Sequence, residues 1–375
     1  MNTYSHILII GGGLAGLTCA IDLATENIPV TLIEKNSYPR HKVCGEYISN
    51  EVLPYFKSLH INLEELRPVQ ISEFMISTTN GNTIHSKLPL GGFGISRFTL
   101  DHYLWQKAKS LNVQLINDQV VDVQYDQNQF VVKTDTNTFT SKYVIGAYGK
   151  RSLVDKTLNR KFMLKKSPWL AVKAHYKGDL EENKVQLHNF EGGYCGLSKV
   201  ENDVINACYL VSYESFRKHK SLKIFQEKVM SKNKYLYHFF NNTELLFEKP
   251  ITISQVNFDK KQPVENHIFM LGDAAGLIHP LCGNGMAMAI QGAQIISDLL
   301  KKDYSSQTPV PRKQIEKLYV KKWNASFSKR LLAGRVLQHV LLNKNAQTIS
   351  YHIAKTMPWV VPKIIKQTHG ESLVC

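Results

Sequence analysis

HILIIGGGLAGLTCAIDLATENIPVTLIEK, residues 6–35, is the stretch from which the fold can be read. HILII is an unbroken apolar run of strand length, the pattern of a strand buried on both faces. After it the spacing changes, with Leu14, Leu17, Ala20, Ile21 and Ala24 recurring at helical intervals. Pro29 closes that helical region and VTLIEK follows as a second strand, so the stretch is a βαβ unit of the expected length of about 30 residues. Gly11, Gly13 and Gly16 form a GxGxxG that leaves the first strand and opens the helix; Glu34 ends the second strand, 18 residues beyond Gly16. The first glycine permits the tight turn, the second lets a pyrophosphate approach the backbone, and the third lets the helix pack closely. Glu34 is placed to accept hydrogen bonds from a ribose hydroxyl. This much predicts a dinucleotide site and leaves NAD and FAD both open.

The chain has 375 residues, enough for about two domains. Its 43% hydrophobic and 21% charged content exclude a disordered protein, and no stretch approaches the roughly 20 apolar residues of a membrane span. MNTYSHILII runs straight into a strand pattern without a basic n-region or cleavage site, which predicts a cytosolic protein. Cys19, Cys44, Cys195, Cys208, Cys282 and Cys375 include no CxxC pair, so thiols are expected rather than a zinc site or a disulfide framework. The formal charge is +15, and residues 301–375, with 14 Lys and Arg against 3 Asp and Glu, carry +11 of it. No RNP motif, zinc finger or basic zipper accompanies that charge, which argues against nucleic acid as a partner.

A second stretch, GDAAGLIHPLCGNGMAMAI at 272–290, chooses between the two dinucleotides. Asp273 follows the apolar FML, where an ionised carboxylate at a strand end is costly unless something hydrogen-bonds to it. Gly283 and Gly285 let the backbone approach a ligand, and the helix after them aims free amides and its positive dipole end at that ligand. A second acid and glycine pair so far from the first suit a long cofactor whose other half carries hydroxyls and a flat ring. FAD has both.

Between the two motifs, residues 169–212 are rich in β-branched and aromatic residues with turn clusters, the pattern of an antiparallel sheet. After a lysine-rich helical stretch, HIFMLGD returns as a parallel-type strand, so the nucleotide domain is interrupted. Segments 1–70, 95–160 and 255–300 are expected to form the discontinuous FAD-binding domain, 71–94 and 161–254 the substrate domain, and 301–375 a basic C-terminal helical region.

Four stretches in order, GGGLAG with Glu34, PRHKVCGEYIS, GISRFTLDHYL and GDAAGLIHPLCGNG, carry a resemblance to the flavoprotein superfamily of para-hydroxybenzoate hydroxylase, and more closely to its geranylgeranyl reductase branch. The resemblance spans about the first 295 residues. It implies an α/β chain with a glutathione-reductase-type, Rossmann-like FAD-binding domain, an inserted mainly antiparallel β-sheet substrate domain and a C-terminal helical region. It implies further that Asp273 binds a ribityl hydroxyl, and that Pro280, Gly283 and Gly285 lie beside the isoalloxazine with amides available to negative charge on the reduced ring. Arg97 is expected near the flavin or its phosphates, its rival reading being a surface arginine at a sheet edge.

The chain also departs from that pattern. Tyr148 stands where many hydroxylases carry the Asp of an Asp-Gly pair linked to flavin and NADPH, so reduction by a separate electron donor competes with NAD(P)H. Cys44 in KVCGEYIS is expected at the mouth of the flavin site, shaping it more than reacting. Glu46 replaces a glycine of the reductases and reads either as a carboxylate that binds substrate or relays a proton, or as one at a helix terminus. In GGYCGLSKVEND the reductases' Tyr-x-Trp-x-Phe-Pro strand keeps only Tyr194, which predicts a differently shaped pocket. The tryptophan signature of flavin halogenases is absent, and His279 is expected to be a satisfied loop histidine rather than a base.

Together these point to an FAD-dependent oxidoreductase acting on an apolar or aromatic small molecule, with hydroxylation ahead of the saturation of a carbon-carbon double bond. A non-catalytic prenyl-binding protein of the Rab escort kind shares the fold but lacks a complete flavin site. The basic tail reads as a solvated helical cap, with peripheral membrane contact as the alternative because Trp323, Phe327, Trp359, Val360, Val361, Ile364 and Ile365 interleave with its lysines.

Overall fold

In the computed structural model, which describes residues 2–219, 221–308 and 310–374, two sheets stand side by side and share one cavity. The first is an α/β layer. Its strands lie in the order Val264–Glu265, Ile268–Met270, Thr138–Gly146, Asn2–Ile10, Val30–Glu34 and Gln114–Asn117, with Val120–Asp126 and Gln129–Thr134 attached. The central strand runs parallel to both neighbours, pairing Ile7 with Val30 and Ile7 with Tyr143. Ile7, Leu8 and Ile9 are fully buried, as a strand covered on both faces requires. The Leu14–Thr25 helix packs against the Gly285–Ser305 and Arg97–Ser110 helices on one side of this sheet.

The second sheet has nine strands and is mostly antiparallel. Alternation along Trp169–Lys177 shows how its faces are used. Leu170, Val172, Ala174 and Tyr176 pack on Phe225, Met230, Leu236 and Phe239 of the outer helical layer, while Trp169 and Ala171 turn the other way onto Leu187, Tyr194, Leu210 and Leu277. That second face looks across the cavity. Tyr47–Ser49, inside the segment 1–70 assigned from sequence to the FAD-binding domain, runs in this sheet by pairing with Thr83–Gly94.

The chain closes with three helices, Arg312–Leu342, Lys344–Thr356 and Val360–Thr368. Ile315, Tyr319, Trp323 and Phe327 recur at turn intervals along the first and are all buried, which anchors it on the nucleotide domain. Trp323 and Phe327, grouped with the surface lysines when the sequence is read, therefore face inward; their helical spacing from Tyr319 is the signal that their lysine neighbours obscured. Val361 and Ile365 are likewise buried, against Tyr47, Ile71 and Leu88 of the second sheet. Glu51, fully buried, ties the C-terminal helical region to the segment after Tyr47–Ser49: its carboxylate accepts from Arg330 Nη1 (3.2 Å), Asn284 Nδ2 (3.3 Å) and the Gly370 amide (2.6 Å), and its carbonyl accepts from the Leu373 amide at 2.8 Å. Cys19, Cys44, Cys195, Cys208 and Cys282 are free thiols, and Cys375 lies outside the described residues.

Candidate active site

Where the central strand ends, the three glycines of the first motif do three different things. Gly11 has φ +107°, and a Cβ there would lie 2.5 Å from the Ala147 carbonyl oxygen. At Gly16 an added Cβ would lie 2.0 Å from the Gly11 carbonyl oxygen. Both are glycine because the protein packs against itself there. Gly13 is extended, and its Cβ would meet nothing nearer than Arg97 Nη2 at 3.9 Å and Lys42 Nζ at 4.0 Å. It faces the cavity. Glu34 lines the same end, with Oε2 accepting from the Gly12 amide (2.8 Å) and Oε1 from Arg40 Nη2 (2.9 Å) and Asn36 Nδ2 (2.8 Å). Burial pushes its pKa up, but Arg40, Asn36, Lys42 and the Gly12 amide outweigh it, so the carboxyl is held below its usual range and stays ionised.

Two cations stand over Gly13. Ser96 caps the Arg97–Ser110 helix, its Oγ accepting from the Thr99 amide at 3.1 Å, and so fixes where Arg97 begins. Arg97 grips Asp101 with Nε and Nη2, both at 2.7 Å, and Lys42 Nζ reaches the same carboxylate at 2.7 Å. Burial opposes the charge on Asp101, yet Arg97 and Lys42 more than compensate and lower its pKa. Two positive charges against one negative leave a net +1 in front of Gly13, a seat for an anionic ligand. Lys42 was not among the residues singled out from sequence as cofactor-binding; its only signal is its place two residues before Cys44.

Close by, where an added Cβ at Gly272 would lie 3.3 Å from Ala15, the Leu271 amide donates to the Gly146 carbonyl, and the chain turns at Gly272 (φ +55°) to present Asp273. The Asp273 side chain lines the cavity and meets no protein donor among the described residues. A carboxylate left without a partner beside a large cavity is matched by a ligand that brings hydroxyls. Behind the turn, Arg160 Nη1 holds the Ala274 carbonyl at 2.9 Å and Lys261 Nζ the Asp273 carbonyl at 2.7 Å. Burial pushes the Lys261 ammonium down to about 8. Sequence gave no sign of either residue, since a lone basic side chain carries no pattern. Pro280, Gly283 (φ +61°) and Gly285 line the cavity where the Gly285–Ser305 helix begins. A Cβ at Gly45 or Gly149 would meet nothing within 4 Å, so these glycines, with Gly13, leave a backbone-lined cradle. Tyr148 points its hydroxyl to Met270 Sδ at 3.3 Å.

Cys44 lies at the cavity wall, partly buried, with Sγ 3.5 Å from Met286 Sδ and its carbonyl held by Asn206 Nδ2 at 3.2 Å. Glu46 is fully buried, and both its oxygens are taken up within the chain. Oε1 accepts from the Arg97 amide (2.7 Å), at the start of that helix, and from Lys173 Nζ, while Oε2 bonds His175 Nε2 at 2.8 Å. Burial pushes its pKa up, and Lys173 and His175 pull it below the usual range. Tyr194 is buried on the cavity face, its phenol raised well above the ordinary value by burial. Beside it His279 is enclosed by Trp169, Tyr194 and Phe258, and burial pushes its pKa down to about 3. It is a neutral imidazole whose Nδ1 accepts from the Leu281 amide at 3.4 Å.

Gly13, Glu34, Arg97, Cys44, Tyr194 and Asp273 line one cavity of about 1240 Å³. From the cradle it continues into an apolar arm between Phe74, Leu187 and Leu210 of the second sheet and Leu332, Val336 and Ile364 of the C-terminal helices. The cradle glycines, the cations over Gly13 and the unpartnered Asp273 fit FAD.

The comparisons with known proteins agree with that fit. The model of the FAD binding domain family matches residues 4–309. Digeranylgeranylglycerophospholipid reductase 1 of Methanosphaera stadtmanae is 23% identical over 344 residues, covering 86% of this chain and 81% of its own. Among solved structures, a flavin-dependent brominase superposes with a TM-score of 0.78 at 15% identity, over 98% of this chain and 95% of that one. A probable FAD-dependent monooxygenase of Pseudomonas aeruginosa superposes with a TM-score of 0.70 at 15% identity, over 92% and 98%.

Proposed function

The chain belongs to the FAD binding domain family, and from that premise we propose that it is a flavin-dependent oxidoreductase that hydroxylates an elongated apolar or aromatic small molecule. The observation that carries the reading is the continuity of the cavity, in which a polar cradle for a dinucleotide opens without a partition into an apolar arm. Bound FAD supplies the electron-transfer and oxygen-activating chemistry. The chain's own residues do the rest. Arg97 and Lys42 seat the pyrophosphate over Gly13, Glu34 takes the adenosine ribose, and Asp273 takes a ribityl hydroxyl. The loop from Pro280 to Gly285 would lie against the ring; its Leu281, Cys282 and Gly283 amides are spent on His279 and Pro280, which leaves those of Asn284 and Gly285 for charge that develops there. Phe74, Leu187 and Leu210 orient the apolar substrate and keep water from the reacting end.

A second reading, saturation of a carbon-carbon double bond, is favoured by Cys44 and Tyr194. Both line the cavity, Tyr194 with a phenol that burial keeps protonated, and reduction of a double bond needs one proton beside the hydride. The relative from Methanosphaera stadtmanae, a reductase by name, supports the same alternative. In neither reading is the electron donor fixed by the residues present. Tyr148, in place of an acid expected to contact NADPH, supports a separate donor protein.

The test is to incubate the flavin-loaded protein with a panel of alkyl phenols and polyprenyl lipids under a chemical reductant, in air and without oxygen, and weigh the products. Gain of one oxygen atom only in air supports hydroxylation. Gain of two hydrogen atoms without oxygen supports the second reading, and no conversion of any apolar compound overturns both.

A further inference from the structure

The open end of the apolar arm has two properties that the chemistry does not use. Side chains that line it also stand in water: Leu332 and Val336, one helical turn apart, are 57% and 55% exposed, and Ile364 is 41% exposed. Ile349 and Ile353, a turn apart beside the lining residues Ser350 and Ala354, and the exposed Trp359 extend this apolar area. The second property is charge. From Lys317 to Gly370 the chain has ten Lys and Arg and no Asp or Glu. Lys329 lines the arm, Lys355, Lys363 and Lys366 are exposed, and Lys363 Nζ lies 4.4 Å from the Trp359 ring centroid.

Branched aliphatic and indole side chains in water are unfavourable unless something covers them, and a surface that gathers them marks an interaction site. Here they alternate with ammonium groups on flexible stems, without an acid among them. That composition matches the boundary of an anionic bilayer, where apolar side chains enter the acyl layer and lysines reach the phosphates. It does not match a second copy of the same face, which would oppose like charges. No described helix is long and apolar enough to cross a membrane, so contact of this kind lies along the surface.

We propose that the mouth of the cavity docks on an anionic lipid bilayer, so that an apolar substrate passes from the acyl layer into the arm without crossing water. The proposal rests on the reading of the substrate as apolar, but vesicle binding is measured without turnover, so the two fail separately.

The experiment is sedimentation of the full-length, flavin-loaded protein with vesicles of phosphatidylcholine alone or with one third phosphatidylglycerol, at low and high salt. Binding to the anionic vesicles at low salt is expected, weakened at least about tenfold on neutral vesicles or at high salt. Lys363→Glu with Lys366→Glu is expected to lose about tenfold or more, and Trp359→Ser to weaken binding at both salt concentrations. Unchanged flavin absorbance and unfolding midpoint identify variants that remain folded. Protein that stays in the supernatant at low salt, equal binding to neutral vesicles, or folded variants that bind like the parent would overturn the proposal. So would a stable dimer that Trp359→Ser returns to monomer, because a second copy would then be the occupant.

Discussion

Gly13→Ala separates the cofactor seat from the fold. The residue sits at φ −83° and ψ −178°, a conformation open to any amino acid, and an added Cβ has no protein neighbour nearer than 3.9 Å. The apoprotein therefore accepts the methyl: glycine is the better N-cap but alanine stiffens the unfolded chain, so stability changes by no more than about 1 kcal/mol. The methyl nevertheless projects into the space that Arg97 and Lys42 face. A pyrophosphate held off the backbone loses at least one charge-assisted hydrogen bond worth about 1.5–3 kcal/mol, a roughly 10- to 150-fold loss of FAD affinity. Gly16→Ala is the control, since its Cβ would lie 2.0 Å from a backbone oxygen and the turn must move. It is expected to destabilise the apoprotein by about 1–3 kcal/mol or more. Flavin-to-protein ratio on purification, titration of the apoproteins with FAD and their urea unfolding measure all three quantities. An unchanged FAD affinity in Gly13→Ala, or a stability loss equal to that of Gly16→Ala, would refute the assignment of the seat.

Asp273→Ala removes a carboxylate that has no donor within the described chain, so the apoprotein should unfold at an unchanged urea midpoint while FAD affinity falls about tenfold or more; equal affinity would detach Asp273 from the cofactor. Glu46→Gln leaves the fully buried Lys173 without its counter-charge and should cost about 3–5 kcal/mol, part of which Lys173→Met in the same chain restores; an undiminished unfolding free energy in the single variant would show that the ion pair is dispensable. For His279 the sign follows from a folded pKa of about 3 against an ordinary 6.5. Stability is full above the ordinary value and drains away as pH falls below it, because only the unfolded state takes the proton. Between pH 7 and pH 5 the loss from this residue is about 2 kcal/mol. His279→Gln should flatten that slope in urea unfolding, and an identical slope in both proteins would contradict a neutral, buried imidazole.

What the sequence made legible was local in the chain. Gly11, Gly13, Gly16 and Glu34 lie within one βαβ unit, and the turn carrying Asp273, Pro280, Gly283 and Gly285 is also contiguous, so spacing alone placed each group at a strand end. The partners of Glu46 were hidden for the opposite reason. Lys173 and His175 are 127 and 129 residues away, on a strand whose alternation was visible but whose buried-charge face was not. Lys261 and Arg160 were hidden likewise, since they act on backbone carbonyls that no motif marks. The tail shows a third case. Its lysines dominate the composition, while the turn-spaced Tyr319, Trp323 and Phe327 carry the packing, and composition cannot say which side of a helix a residue takes.

Glu51 has a consequence for the order of assembly. Arg330, Asn284 and Gly370 converge on one buried carboxylate, and the Leu373 amide donates to the same residue's carbonyl. During synthesis the nucleotide domain's strands leave the ribosome before Arg330, Gly370 and Leu373 do. The loop at Asn284 is therefore without its full set of contacts until those residues emerge, and so is the roof of the arm. A change at Gly370 would therefore be felt at the Asn284 loop, through the carboxylate they share, from a point 86 residues further along the sequence.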